Sequence, residues 1–252
     1  MIEPLSAAAV AWVCAVFLAA GFVKGVVGMG LPTVAMGLLA VTMAPAEAAT
    51  LLLIPSLVTN LWQLSTGPSF GGLARRLWTM MAGVVIGTVA GAGLLTGAHT
   101  AAASGALGVA LMLYAFLGLA KAGFSTPPRH EALLSPLVGV ATGLVTGATG
   151  VFVIPAVPYL QSLRLGKEEL IQALGLSFTV STAALAIGLF RAGALASPTA
   201  GLAGSVAALA PALAGMAVGQ ALRQRMSVET FRKVFFAGLL ALGFYLMAEA
   251  AF

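Results

Sequence analysis

Long apolar runs, separated by short stretches that carry charge, proline or glycine, fill this chain from end to end. Hydrophobic residues make up 60% of the 252 residues, and none of the seven acidic residues is an aspartate. Charged residues make up 8%, whereas an ordinary soluble domain has about a quarter. A helix needs about 20 apolar residues to cross the hydrocarbon of a bilayer. The pattern therefore predicts an all-α polytopic membrane protein.

Five apolar runs lie in each half of the chain, and most approach that length. Two are too short to span comfortably, and each of these directly follows a glycine-rich stretch. We therefore expect a broken or re-entrant helix at both places, because such backbone is tolerated inside a membrane only where protein or water surrounds it. The runs are Leu5–Val27, Leu31–Met43 (short), Ala48–Leu64, Leu77–Leu95 and Ala101–Leu119, then Ala132–Thr149, Val151–Leu163 (short), Leu170–Phe190, Leu202–Leu222 and Val234–Phe252.

The two glycine-rich stretches match each other at a fixed offset. Gly21–Gly28 and Gly143–Gly150 share three glycines that recur 122 positions later, and the same offset relates Glu47 to Glu169. The chain is therefore interpreted as a tandem duplication, with a first repeat at 1–119, a linker at 120–131 and a second repeat at 132–252. Duplicated halves with interrupted segments at corresponding positions are typical of secondary transporters.

Basic residues predict the orientation, since Lys and Arg favour cytoplasmic loops. With the N-terminus outside, ten fall inside, Arg191 falls outside and Lys24 stays undecided. An odd number of segments in each repeat then makes the halves inverted, the linker cytoplasmic and both termini external. Because these cations lie between apolar runs, we expect no nucleic-acid partner. The ten are Arg75, Arg76, Lys121, Arg129, Arg164, Lys167, Arg223, Arg225, Arg232 and Lys233.

The glycine motifs combine residues with free φ and prolines that lack an N–H group, so they should break helices. A broken helix leaves unpaired N–H groups and a positive dipole end, which suits an anion. The alternative is close helix packing through small residues, which we expect for Gly83-x-x-x-Gly87 and Gly215-x-x-x-Gly219. We expect the two motifs to face each other across the interface of the repeats and to form one substrate site together. The site candidates here are Gly25, Gly28, Gly30, Pro32, Gly147 and Gly150, with Pro155 following the second motif.

Lys24 stands beside the first motif, and its counterpart in the second repeat is Thr146, with Thr149 nearby. An ionisable group in a membrane segment is a functional candidate, and an ammonium suits an anionic substrate. Alternatively, Lys24 extends its head group to the cytoplasmic interface. Both interpretations stay open at this point.

Polar residues form a stripe on one later segment of each half. Asn60 and Gln63 lie three residues apart, and the offset maps this region onto Ser177 and Ser181. Residues at that spacing share a helix face, so we expect them to line a polar cavity, with interhelical hydrogen bonding as the alternative.

The remaining titratable residues predict little chemistry. Glu47 and Glu169 begin corresponding segments, where an acid favoured by the helix dipole is the simpler interpretation and proton coupling the alternative. His99 and His130 lack the spacing of a metal site. We therefore expect no cofactor and no metal.

These motifs resemble the sulfite exporter TauE/SafE family across nearly the whole chain. The resemblance rests on Gly21–Pro32, on Pro55-x-x-x-x-Asn60-x-x-Gln63, and on Gly143–Gly150 with Pro155. It implies a permease of the bacterial inner membrane for sulfur-containing anions such as sulfite, sulfonates or sulfoacetate, or for related organic anions. The coupling ion, proton or sodium, is left open.

Two other functions are weighed against the transporter. An intramembrane hydrolase of the lipid-phosphate type wants convergent acids, a base or a metal, and this chain has no aspartate and few glutamates. An anion channel is often lined by rings of charge, and no such ring is evident.

Overall fold

The computed structural model describes residues 6–96, 100–120, 125–196 and 201–251, and within these ranges every regular element is helical. A single 3-10 turn covers Ala194–Ala196. The α-helices, numbered in chain order, are α1 Ala7–Val27, α2 Leu31–Leu39, α3 Pro45–Ser65, α4 Phe70–Thr96, α5 Thr100–Leu119, α6 Pro128–Thr149, α7 Ala156–Ser162, α8 Lys167–Arg191, α9 Leu202–Leu222 and α10 Val228–Ala251.

Eight of these helices are long and apolar enough to cross a membrane. The exceptions are α2, with nine residues, and α7, with seven, and each follows a glycine motif. The prediction of an all-α polytopic protein with broken helices at both motifs is therefore confirmed. Large apolar side chains such as Trp78, Phe116 and Phe190 stay well exposed, which fits a surface that faces lipid.

Several helices extend beyond the apolar runs that predicted them. Helix α4 begins at Phe70 instead of Leu77, and α8 begins at Lys167 instead of Leu170. Helix α6 begins at Pro128, so the last four residues of the predicted linker are helical; residues 121–124 of that linker, like His99, lie outside the described residues. Charged residues lower the hydropathy of a helix end but do not stop its hydrogen bonding, and proline suits a first helical position.

Helix pairs that touch backbone to backbone form the most extensive interfaces. Helix α1 packs on α9 and α4 packs on α6. A methyl group added at Gly25 would overlap the carbonyl oxygen of Met216, and one added at Gly147 would overlap that of Thr88. Only glycine permits this approach, which is how small residues hold helices together in lipid.

The two interfaces repeat the same contacts at equivalent positions. Gly215 of α9 faces the Leu18 carbonyl and the Phe22 N–H of α1, while Gly87 of α4 faces the Val140 carbonyl and the Leu144 N–H of α6. Leu18 and Phe22 correspond to Val140 and Leu144 at the offset of 122. The first helix of each half therefore packs on the fourth helix of the other.

Two further large interfaces join equivalent helices, α3 with α8 and α5 with α10. The Asn60 amide donates to Thr182 Oγ1 at 3.4 Å, and the rings of Tyr114 and Phe236 meet edge to face with centroids 5.2 Å apart. Both contacts join residues 122 positions apart, as expected on the axis of a two-fold relation between the halves. The inversion of the repeats stays a prediction.

An ion pair joins the starts of α4 and α6. Arg76 donates from Nε to Glu131 Oε1 at 2.6 Å and from Nη2 to Glu131 Oε2 at 2.8 Å. The contact brings the Arg75–Arg76 pair and the end of the 120–131 linker to the same end of the bundle. That agrees with the predicted placement of both on the cytoplasmic side.

The predicted orientation is tested by cysteine labelling in a Cys14→Ser background, which removes the one native cysteine. His130→Cys and Glu249→Cys both introduce a thiol at an exposed position. In intact cells, a maleimide that cannot cross the membrane should label position 249 and should label position 130 only after permeabilisation. The reverse pattern would overturn the topology.

Glycine packing predicts a contrast between two glycines of α4. In Gly87→Ala the methyl overlaps the Val140 carbonyl, whereas at Gly93 it meets nothing within 4 Å. Overpacking costs roughly 1–3 kcal/mol, and at about 2–4 °C per kcal/mol the Tm of Gly87→Ala in detergent should fall by roughly 2–12 °C. Gly93→Ala is the matched control and should keep the wild-type Tm. Equal Tm values would contradict this account.

Candidate functional site

The first glycine motif ends α1 and begins α2 within three residues. Gly28 has φ 84° and ψ 1°, and its N–H donates to the Lys24 carbonyl. Gly30, with φ 103°, then precedes α2, in which Pro32 occupies the first turn. Two residues in the left-handed region at this spacing require glycine, and they reverse the chain inside the bundle. The first turn of α2 has no side-chain cap.

The second motif ends α6 in the same way but continues differently. Gly150 has φ 71° and ψ 2°, and its N–H donates to the Thr146 carbonyl, which matches Gly28 and Lys24. Residues 151–155 are not helical, and Val151–Ile154 are buried. Thr149 stabilises the non-helical segment, because its hydroxyl accepts a hydrogen bond from Val151 N at 3.2 Å. Helix α7 then begins at Ala156.

The structure places the earlier glycines of both motifs in helix interfaces. Gly25 lies against α9 and Gly147 lies against α4, while Gly150 lies against the Met36 side chain of α2. A methyl at Gly28 would meet nothing within 4 Å. Gly25 and Gly147 therefore serve packing, and the nearest neighbours of each motif belong to other helices, not to the other motif.

Lys24 lies one turn before the break, and its side chain is only 5% exposed. The ammonium donates to Thr59 Oγ1 at 3.1 Å and to Asn60 Oδ1. Both partners are neutral residues of α3, and among the described residues no carboxylate forms an ion pair with Lys24. The head group thus points into the protein, not to the interface. An ammonium has three N–H donors, so one of them has no acceptor among the described residues.

The groups around Lys24 are oriented as acceptors. The Thr59 hydroxyl donates to the Pro55 carbonyl at 2.7 Å, and the Thr182 hydroxyl donates to the Phe178 carbonyl at 2.7 Å. Their protons are thereby committed, and their oxygens accept from Lys24 and from Asn60 Nδ2. Since Asn60 and Thr182 are fully buried, this chain of hydrogen bonds joins α1, α3 and α8 away from solvent.

Unpaired polar groups adjoin this chain of hydrogen bonds. The hydroxyls of Ser56, Ser177 and Ser181 are buried and have no hydrogen-bond partner in the part of the chain that the structure describes. Ser56 lies one turn before Asn60, and Ser181 directly precedes Thr182. Gln63 donates to the Ile171 carbonyl at 3.1 Å, but its Oε1 has no partner. Because buried polar groups are normally paired, these atoms are available to form hydrogen bonds with a polar ligand.

Other predicted polar residues have structural partners. The Thr146 hydroxyl donates to the Thr142 carbonyl of its own helix at 2.7 Å. Pro55 deprives the Leu51 carbonyl of its helical partner, and Ser205 of α9 donates to that carbonyl at 2.9 Å. The Glu169 carboxylate accepts from Gly166 N at 3.1 Å, as its interpretation as a helix-start residue predicts. No group of metal-binding side chains occurs within the described ranges.

A cavity of about 890 Å³ lies beside the break and outside the Lys24 network. Its wall includes Val26 and Met29, which flank the end of α1. The Tyr114 hydroxyl, from α5, donates to the Met29 sulfur at 3.4 Å. Lys24 is not part of the wall, so the last turn of α1 separates the cavity from the buried ammonium.

Apolar helices, two breaks that adjoin buried polar groups, and a partly open cavity are features of multi-pass membrane transporters. The sequence model of the sulfite exporter TauE/SafE family matches residues 13–246, nearly the whole chain, and the protein belongs to this family. It is therefore a membrane transporter and not an enzyme. Neither a curated protein nor a solved structure matches the chain.

The positive φ of Gly28 predicts which substitutions at this position destabilise the protein most. Because space is open there, the cost of Gly28→Ala comes from φ alone and should be about 1–2 kcal/mol. Asparagine enters the left-handed region more readily than alanine, so Gly28→Asn should keep a higher Tm in detergent than Gly28→Ala despite its larger side chain. The opposite order would show that space, and not φ, selects glycine.

Proposed function

We propose that the protein is a secondary transporter of small anions in the bacterial inner membrane, and that Lys24 binds the substrate. The substrates would be sulfite, sulfonates, sulfoacetate or related organic anions. The observation that carries the proposal is a buried ammonium with two neutral acceptors and no carboxylate partner among the described residues. Burying a charge without a counter-ion is costly, and a bound anion supplies that counter-ion.

The polar groups near Lys24 suit an oxyanion. The remaining ammonium N–H and the free hydroxyls of Ser56, Ser177 and Ser181 are donors that several oxygens of one anion would accept. Asn60 uses its oxygen for Lys24 and its amide for Thr182, so in this proposal it positions the ammonium. Charge-assisted hydrogen bonds of this kind are about twice as strong as neutral ones.

The proposed site lies at the interface of the two repeats. Asn60 of α3 and Thr182 of α8 are equivalent residues of the two halves and bond each other. In a protein with inverted repeats, a site on the two-fold axis stays in place while each half opens it to one side in turn. The contacts shared by the α1–α9 and α4–α6 interfaces support this arrangement.

A channel is the second candidate, and transport kinetics separate it from a carrier. The protein is reconstituted in proteoliposomes loaded with unlabelled anion, and uptake of labelled sulfite, sulfoacetate and other oxyanions is measured by counterflow. A carrier gives saturable exchange that depends on the internal anion. Ohmic current without exchange would show that the protein is a channel and not a carrier. Inactivity with every anion would reject the proposal.

Loss of the Lys24 charge should weaken anion binding without unfolding the protein. Lys24→Gln removes the proposed counter-charge, and one charged hydrogen bond contributes about 1.5–3 kcal/mol. We expect anion affinity to fall roughly 10-fold or more in counterflow, at a Tm close to wild type. Arg191→Gln removes an exposed charge at the end of α8 and is the matched control. Wild-type anion affinity in Lys24→Gln would show that Lys24 does not bind the substrate.

A carboxylate beside Lys24 should compete with the substrate. Asn60→Asp changes one amide to a carboxylate at the same position, so an internal ion pair replaces the proposed pair with the anion. We expect weaker anion binding than in wild type. The Tm should not fall, because the new ion pair replaces the hydrogen bond of the amide. Unchanged binding would contradict an anion site at this ammonium.

A further inference from the structure

The cavity of about 890 Å³ carries its own positive charge, separate from Lys24. Arg223, at the end of α9, and Arg232 and Lys233, in the first turns of α10, lie in its wall together with Glu229. Arg223 also lines an adjoining cavity of about 530 Å³ with Lys167. These residues lie at the end of the bundle that the basic residues predict to be cytoplasmic.

The net positive charge of the cavity wall comes from its two arginines, because its lysine is offset by a glutamate. Lys233 Nζ lies 3.9 Å from Glu229 Oε1, so those charges offset each other. Among the described residues, neither Arg223 nor Arg232 is paired with a carboxylate. A guanidinium presents planar donors that match the oxygens of a carboxylate, sulfonate or phosphate. The wall therefore favours an anionic group.

The arginine on α10 is held over an aromatic floor. The Arg232 guanidinium carbon lies 5.9 Å from the centre of the Phe236 ring, and that ring contacts Tyr114. Leu117, Val157 and Pro158 add aliphatic surface to the same wall. A polar rim above an apolar floor binds molecules that have both kinds of surface, and pockets of about 300–1,000 Å³ suit organic ligands.

We propose that this cavity is a second anion-binding site, which takes an organic anion with an oxyanion head and an apolar body. The head group lies between Arg223 and Arg232, and the body lies on Tyr114, Phe236 and the aliphatic side chains beside them. A soluble sulfonate or carboxylate and an anionic phospholipid share this chemistry. The site is independent of the Lys24 proposal, because Lys24 is not in the wall and neither site needs the other.

The test measures binding of butanesulfonate by isothermal titration calorimetry to protein in nanodiscs of zwitterionic lipid. Every protein compared carries Lys24→Gln, because the proposed transport site also takes sulfonates; the protein with this change alone is the reference protein. Empty nanodiscs correct for partition into lipid, and butylammonium probes the same apolar body with the opposite charge. The key variant is Arg223→Gln with Arg232→Gln. Arg225→Gln is the matched control, since Arg225 is an exposed cation in the same turn between α9 and α10 but does not line the cavity.

The reference protein with and without Arg225→Gln should bind butanesulfonate equally, and the double variant should bind it at least roughly 10-fold more weakly. Affinity should rise about three- to fourfold with each added methylene from ethanesulfonate upward, because each reaches more of the apolar floor. Because all these proteins lack the Lys24 charge, this binding belongs to the cavity and not to the proposed transport site.

Three results would overturn the proposal: unchanged affinity in the double variant, equal binding of butylammonium, or absence of butanesulfonate binding to the reference protein. Nanodiscs that contain phosphatidylglycerol distinguish the two ligand sources. If added phosphatidylglycerol weakens butanesulfonate binding to the reference protein more than to the double variant, the lipid occupies the same site. If it does not, the site binds the soluble anion and not the phospholipid.

Discussion

Direct contact between helix backbones is the constraint on which the rest of this structure depends. In a bilayer, an apolar side chain gains nothing by leaving lipid for protein, so helices associate through close packing and hydrogen bonds. Glycines on α1 and α9, and on α4 and α6, allow that approach. Gly25 and Gly147 lie one turn before the breaks at Gly28 and Gly150. The packing therefore sets the depth at which both helices end, and with it the place of Lys24.

Burial of Lys24 is the second organising feature. Within a membrane protein an ammonium needs either water or compensating partners, and here the partners on α3 are neutral oxygens whose own protons are held by helix carbonyls. The arrangement keeps the charge in one position without neutralising it. In the proposed transport site this network leaves the ammonium available to an anion, because a fixed carboxylate would compete with the anion that has to bind and leave.

The buried ammonium and the arginine-lined cavity differ in their electrical surroundings. Lys24 has little contact with solvent, so salt screens it weakly, whereas exposed charges are screened within about 10 Å at ordinary ionic strength. The arginines of the cavity are exposed, and Arg232 is oriented by contact with an aromatic ring. An anion in the cavity therefore keeps most of its hydration, while one beside Lys24 exchanges water for protein donors.

Local signals along the chain determine much of this protein. Apolar runs predict the ten helical segments, and paired glycines predict both breaks, because hydropathy and a positive φ depend on the residues at each position. Prediction is weaker at helix starts: α4, α6 and α8 begin before their apolar runs, since charged residues outside the hydrocarbon still form helix. Lys24 and Asn60 are each candidates from the sequence, but their contact with each other does not follow from it.

Tertiary structure alone decided which residues meet. The offset of 122 relates Asn60 to Thr182, yet only the crossing of α3 and α8 brings their side chains into contact. In the same way, Ser205 pairs with the carbonyl that Pro55 frees, and the ends of α9 and α10 bring two arginines to one cavity. The sequence by itself determined the membrane class and the places where helices break, and it predicts the duplication. The partners of each buried polar group depend on how distant helices pack, and local composition does not encode that geometry.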